Sequence, residues 1–517
     1  MIVSIFNEVI GPVMRGPSSS HCAAALRIGR LARDLMDGDL QDVRIEFDRF
    51  GSLATTYTSQ GSDMGLSGGL LGWDAADARL PRATEALEQA GIHVRVEIAD
   101  LRDEHPNTYH LRLGNRRESH SLTAVSTGGG MIEVTRVDDF EVSIGGDFYE
   151  TLLYLEDGGQ DAALLMEGAF PADEIILHEA AGRRLLEVKA QQFVGEETIG
   201  RLRKTVGVLR VKRLAPVLPV LSRKGMAVPF TTCAEMLDYD GGRGAPLWQL
   251  AVDYEMARGG LAAAEVVARM VEIVRVVRRS IRHGIAGTRY QDRILGHQSG
   301  GFGECMQAGR LLPAGVLNRI VLYVTALMEV KSSMGVIVAA PTAGACAALP
   351  GSCLAVAEEM GLSENDAARA LLAGGLIGVF IAARSTFAAE IAGCQAECGA
   401  AASMAAAALV TLAGGSTVQS LAAASMALQN SMGWICDPVA GRVEVPCLGK
   451  NVLAAGNALA CANMALAGYE PVIPLDEVIT AADHAGRSLP RELRCTALGG
   501  LSSTPTARQL EQRLGRR

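Results

Sequence analysis

Cys436 and Cys447 stand on either side of the ten-residue segment DPVAGRVEVP. Pro438, Gly441 and Pro446 prevent that segment from forming one regular helix, so it reads as a loop between two helices. Such a loop can turn two thiolates toward one metal group and aim backbone N–H groups at their sulfurs. The spacing alone suits two core cysteines at helix ends equally well. Cys394 lies in GCQAECG, just ahead of an Ala-rich run, and Cys398 follows four residues later. If that turn is helical the two share a face, which makes Cys398 a rival or additional ligand, or a buried thiol. Three thiolates with no histidine nearby make poor catalytic zinc ligation, which mixes ligands and keeps a position open. Soft thiolates suit an iron–sulfur cluster. A cubane held by only three of them leaves one iron open to act as a Lewis acid on a substrate oxygen.

Two further groups carry polar chemistry. Ser18-Ser19-Ser20-His21 places hydroxyls and an imidazole at a predicted helix start, where unpaired N–H groups and the helix dipole favour an anion such as a carboxylate. An ordinary serine cap beside a surface histidine fits the same text. His105-Pro106-Asn107-Thr108 is a turn carrying a candidate base. Ser126-Thr127-Gly128-Gly129-Gly130 offers a backbone that can cradle an anion, or merely a tight turn. Lys331-Ser332-Ser333-Met334-Gly335 and Pro341-Thr342-Ala343-Gly344 add hydroxyls and amide donors between helices. No Walker pattern or Gly-x-Gly-x-x-Gly fingerprint is present, so neither ATP nor NAD is invoked.

The elements that must position these residues divide the chain. At 517 residues it is too long for one ordinary core. Residues 1–165 mix predicted strands at 43–47, 93–98 and 110–113 with a helix over 21–36, giving an α/β domain. Residues 166–230 hold two more strand candidates and several prolines, and read as a connection or α/β extension. From 231 to 505 nearly everything reads as helix, with predicted spans at 247–279, 314–330, 365–383, 400–413, 418–430 and 450–468. Residues 506–517 form a tail. The fold class is thus a multidomain chain, α/β first and mostly α-helical second.

Composition narrows the function classes. A formal charge of -9, with the run Arg201–Arg213 as the one notable basic stretch, gives nucleic acid nothing to bind. The apolar stretches are short of about 20 residues or diluted with Gly and Ala, so no membrane span is expected. The first residues lack signal-peptide features, and the expected location is the cytoplasm. Eleven cysteines, an odd number, argue against a disulfide framework.

Taken together, the sequence resembles the bacterial iron–sulfur L-serine dehydratases, with a beta portion first and an alpha portion second in one chain. GPSSSH at 16–21, FGSLATT at 50–56, HPNT at 105–108 and STGGGMIEV at 126–134 carry the beta resemblance. The alpha resemblance rests on MGVIVAAPTAGACAALPG at 334–351, GCQAE at 393–397, SMAAAAL at 403–409 and CDPVAGRVEVPC at 436–447, with LGG at 498–500 closing it. The resemblance implies a catalytic 4Fe-4S cluster on Cys394, Cys436 and Cys447, and no pyridoxal phosphate. It implies conversion of L-serine to pyruvate and ammonia by β-elimination, a role in amino-acid metabolism and gluconeogenesis, and a homodimer. The active site would lie between the domains, with His21, His105, Ser18, Ser19 and Ser20 catalytic. Asn107, Thr108, Gly128, Gly129, Ser333, Thr342 and Arg384 would bind substrate.

Four departures bear on the chemistry. Cys22 follows His21 where the family has threonine. Gln60 stands where a histidine is common, and it cannot serve as a base at neutral pH. Arg384-Ser385-Thr386-Phe387 replaces an NASISG-like run, and Arg384 suits a second carboxylate. Some relatives present a C-terminal cysteine to the open iron, but none follows Cys495 here, so that self-inhibition is not expected. Two alternatives stay open: the same lyase chemistry on another β-substituted amino acid, including desulfidation of L-cysteine, and a non-catalytic amino-acid sensor.

Overall fold

Residues 3–14 carry an apolar run, Val3, Ile5, Phe6, Val9, Ile10 and Met14, that a small sheet domain has no room to bury. The computed structural model describes residues 2–156 and 161–514, and in it this run is sunk into the helical half of the molecule. Strand β1 (Val13–Met14) pairs antiparallel with Ile337–Val338. The Asn7 amide donates to the Val220 carbonyl at 2.8 Å and accepts from its N–H at 3.0 Å. Sequence position assigns these residues to the first domain, but their apolar side chains pack with the second. Burial decides.

Alternating apolar side chains build the first sheet. In β2 (Asp42–Asp48), Val43, Ile45 and Phe47 point inward and are buried. It is followed by β3 (His93–Ala99), β4 (Thr108–Gly114), β5 (Ser119–Gly128), β6 (Met131–Val137) and β7 (Phe140–Ile144). The six strands run in the order β3-β2-β4-β5-β6-β7. Only the β2–β3 pair is parallel. Helices Ala24–Leu35 and Ser62–Leu70 share one hydrophobic cluster with this sheet, through Ile28, Leu31, Leu35, Leu66 and Leu70.

A second, smaller sheet follows. Its strands are β8 (Tyr149–Leu155), β9 (Glu174–Ala180), β10 (Arg183–Ala190) and β11 (Val208–Leu214), in the order β11-β8-β10-β9. With helices Ala162–Glu167 and Glu196–Val206 they form a β-α-β-β-α-β unit with its own core. The break expected between residues 165 and 166 runs through this unit. The expected connection supplies three of its four strands, because β8 lies before the break and the strands pairing with it lie after.

The helical half is built on Ala and Gly. Helices Glu364–Ala382 and Cys398–Leu412 are buried nearly all round, which puts them at the centre of a bundle. Capping boxes start two helices, with Ser363 and Asp366 at one and Ser416 and Gln419 at the other. The segments Glu364–Ala382 and Cys394–Leu412 are long and apolar enough to cross a membrane, yet 78% and 89% of them is buried inside the protein. At the far end, Cys495 N–H donates to the Cys436 carbonyl at 2.9 Å, and Cys436 N–H to the Leu493 carbonyl at 2.8 Å. The expected tail is a helix, Pro505–Leu514, packed on the turn Val439–Gly441.

Candidate active site

Ser19–Ala23 forms one wide π-type turn, a form that recurs at functional sites, and it leads straight into helix Ala24–Leu35. Helix Ser62–Leu70 presses against it so closely that a β-carbon on Gly65 would overlap the Cys22 carbonyl. Ser18, Ser19, Ser20 and His21 are consequently all buried. Thr56 Oγ1 donates to the Ser52 carbonyl at 2.7 Å, so it accepts from His21 Nε2, 2.9 Å away. That fixes the tautomer. Nδ1 keeps its lone pair and faces the hydroxyls of Ser18 and Ser20, each at 3.1 Å. Burial lowers the His21 pKa, with Glu390 opposing, so the ring is a neutral base near pH 7.

The turn reaches the second domain through its serines. Ser19 Oγ accepts from the Ala343 N–H at 3.2 Å. Ser20 Oγ donates to Glu390 at 3.2 Å, and Ser126 Oγ donates to the Ser20 carbonyl at 2.7 Å. Glu390 stands 4.0 Å from His21 Nδ1. It also opposes the burial that lowers the His105 pKa, so both histidines face the same carboxylate.

On the helical side five free thiols, Cys394, Cys398, Cys436, Cys447 and Cys495, lie buried. A hydrogen bond with Cys495, together with burial and charge from Cys495, Glu397 and Cys394, holds the Cys436 thiol well above the usual range. Contact with Cys394 and burial do the same to Cys398. Burial raises Cys447, Lys331 lowers it, and Cys394 raises it again. Negative charge on Cys394 raises all three of these thiols. Thiols raised this far are poor nucleophiles; they ionise when a cation takes their protons' place, as metal binding does. Among the described residues no three His, Cys, Asp or Glu side chains converge on a single ion. A 4Fe-4S cubane, with iron and sulfide at alternate corners, takes each thiolate on a different iron and does not ask them to share one.

Polar atoms left over point to what the site receives. Among the described residues Gln60 Nε2, Asn107 Oδ1 and Lys331 Nζ are buried without a hydrogen-bond partner. A cavity of about 660 Å³ runs between the first domain and the 438–442 loop, lined by Thr56, Ser59, Gln60, Arg442 and Cys495. Buried thiols suit a cluster, and the unpaired polar atoms suit a small polar substrate.

The residues expected at the site do not all reach it. Thr342 Oγ1 donates to Glu397 at 2.6 Å. Asn107 is buried beside His105, whose Nδ1 accepts from the Asn107 N–H at 3.2 Å, and Thr108 donates to the His105 carbonyl. Ser333 is spent on its own helix, donating to the Glu329 carbonyl at 2.6 Å. Gly128, at a φ of +109°, lies against Ala388, and a β-carbon there would sit 3.2 Å from the Ala388 methyl; Gly129 backs onto the Glu8 and Pro341 carbonyls. The glycine run therefore lets two backbones approach. Arg384 is exposed and paired with Asp476 at 2.9 Å, because helix Leu475–Arg487 supplies a nearer carboxylate than any substrate.

The sequence does not single out Glu390, Thr56 or Asn451, and it shows Lys331 only within a polar run. Asn451 Nδ2 donates to the carbonyls of Gly344 (2.7 Å) and Cys447 (2.9 Å), and its Oδ1 accepts from Ala347 and Ala348. The one available signal for it was its place a helical turn after Cys447.

The model of the serine dehydratase beta chain family matches residues 4–136, and that of the serine dehydratase alpha chain family matches residues 242–502. The chain belongs to the serine dehydratase family. It joins beta and alpha portions, in that order, in one polypeptide. The probable L-serine dehydratase alpha chain of Bacillus subtilis is 38% identical over 250 residues, 48% of this chain and 83% of that protein. The probable beta chain of the same organism is 32% identical over 218 residues, 41% of this chain and 98% of that protein. L-serine dehydratase 1 of Escherichia coli is 25% identical over 498 residues, covering 94% of this chain and 96% of its own length. The beta match falls on the wall that carries Ser18–His21, and the alpha match on the helical half that carries the five thiols.

Proposed function

We propose that this chain is an L-serine ammonia-lyase that acts in the cytoplasm and holds a 4Fe-4S cluster on Cys394, Cys436 and Cys447. One observation carries the reading: Ser19 and Ser20 bond across the seam to Ala343 and Glu390, which sets a neutral imidazole beside the thiol-bearing domain. When bound, the cluster supplies a Lewis acid for the departing hydroxyl. His21 supplies the base. Its Nδ1 draws the proton of Ser18, 3.1 Å away, and the serine oxygen takes the α-proton of the substrate. Glu390, 4.0 Å from Nδ1, stabilises the imidazolium that results. The departing hydroxyl takes the imidazolium proton and leaves as water, which restores the neutral ring, and the aminoacrylate released hydrolyses to pyruvate and ammonia. Gln60 is no base at this pH; it orients. Burial of the whole serine turn excludes bulk water from the base.

Anaerobic reconstitution with iron and sulfide, followed by assays for pyruvate and ammonia from L-serine, tests the reading. Equal amounts of both products support it. Sulfide released from L-cysteine, with L-serine untouched, would move the assignment to a desulfidase, and no turnover of any hydroxy or thiol amino acid would refute the lyase.

A further inference from the structure

Of the two lysines whose charge reaches the thiols, Lys450 is paired with Asp437 at 2.8 Å, whereas Lys331 carries a charge that the site described so far does not use. It lies in the last turn of helix Val316–Ser332, is 0% exposed, and its Nζ has no hydrogen-bond partner among the described residues. An ammonium taken out of water without a partner costs several kcal/mol even after relaxation, so buried charges are paired or bind an opposite charge. The carboxylates around it are committed elsewhere. Glu444 accepts the N–H groups of Ile294 and Leu295, Glu397 accepts from Thr342, and Glu329 accepts from Gln298 and Ser299. Lys331 opens on a cavity of about 20 Å³ that Pro17 and Ser59 of the first domain also line, room for one water-sized group such as a carboxylate oxygen. Pro17 immediately precedes the serine turn, and Ser59 precedes Gln60, whose buried Nε2 has the Cys495 thiol beside it and makes no hydrogen bond to nitrogen or oxygen among the described residues. Ser59 and Arg442 line both this cavity and the large one, so the two spaces adjoin at the seam.

We propose that Lys331 binds the α-carboxylate of the amino-acid substrate, with Gln60 as a second donor. Arg384, expected to suit a second carboxylate, is paired with Asp476 and leaves this role to Lys331. This inference rests on the lyase reading, so turnover of L-serine by the wild-type holoenzyme is measured first; its absence would refute that reading and leave the Lys331 comparison to the binding of L-serine against L-serinamide, which lacks the carboxylate.

The test compares wild type with Lys331→Gln, Lys331→Met and Lys331→Arg, each reconstituted, with iron and acid-labile sulfide measured on every sample. A lost charge-assisted hydrogen bond predicts a KM for L-serine raised about 10- to 100-fold in the Gln and Met variants, with kcat changed far less. The Arg variant recovers much of the affinity. Inhibition by L-serinamide stays the same in all four proteins, and iron content is unchanged. An unchanged KM would overturn the proposal. So would an equal loss of serine and serinamide affinity, or a loss of iron or altered visible spectrum at constant KM, which would assign the charge to the thiolates. Should one variant fail to fold, the other two still decide between these outcomes.

Discussion

Replacing Asn451 with alanine should cost the protein much of its stability, and the amount follows from what that side chain holds. Its amide nitrogen donates at 2.7 Å to Gly344 and at 2.9 Å to Cys447, and its oxygen accepts from Ala347 and Ala348 at 3.3 and 3.2 Å. The Cys447 carbonyl keeps its place in the helix that begins there. Alanine therefore strands one carbonyl and two N–H groups in a region where Gly344, Ala347 and Ala348 are all fully buried. Each stranded buried group costs about 1–3 kcal/mol, and the two long bonds to oxygen belong at the low end. The sum is about 3–5 kcal/mol, a large part of a typical domain's stability of about 5–15 kcal/mol. Urea unfolding of the anaerobic apo protein, followed by circular dichroism, measures it. Asn451→Asp should do no better, because it turns a carboxylate oxygen toward two carbonyls. A loss below about 1 kcal/mol for Asn451→Ala would show that the Cys447 helix is not fastened to the Gly344 turn in this way.

Other outcomes follow from single contacts. His21 has a pKa below the free imidazole value because burial disfavours its charged form. The unfolded chain therefore binds more protons just below pH 6.5, so stability present above that pH falls as the solution is acidified; His21→Asn should flatten this acid limb in pH-dependent unfolding. Arg384→Ala should leave the KM for L-serine within about twofold and cost less than about 1 kcal/mol, since its pair with Asp476 is a surface one. Gly128→Val should lower both stability and kcat/KM. It combines a φ of +109° with a close contact on Ala388, and unfavourable backbone of that kind costs about 1–3 kcal/mol.

What the sequence revealed was the chemistry carried by unusual residue types. Proline and glycine between Cys436 and Cys447 marked a loop, and the loop is there, around the turn Val439–Gly441. The central helices were readable because apolar, Ala-rich text has one stable home in a soluble fold, a bundle interior. The β-α-β-β-α-β unit was half legible: its strands were marked at 174–178 and 185–188, but nothing local says that β8 pairs with strands on the far side of a helix. Ordinary residues in ordinary text stayed hidden. Glu390 in FAAEIAGC looks like any acid near a helix start, and only the fold sets it against Ser20. Arg384 erred the other way: a lone arginine near a conserved-looking motif invites a ligand role, while a carboxylate 92 positions along the chain had already taken it. Lys331 was visible as part of a polar run, but its burial depends on helices far apart in sequence.

The central claim is that three thiols hold an iron–sulfur group at the seam between the domains. Iron and acid-labile sulfide, measured after anaerobic reconstitution of wild type and of single serine variants at residues 394, 398, 436, 447 and 495, test it most directly. The account predicts equal iron and sulfide in wild type, their loss in Cys394→Ser, Cys436→Ser and Cys447→Ser, and their retention in Cys398→Ser and Cys495→Ser. A wild-type chain that binds no iron, or a full complement in any of the first three variants, would contradict it.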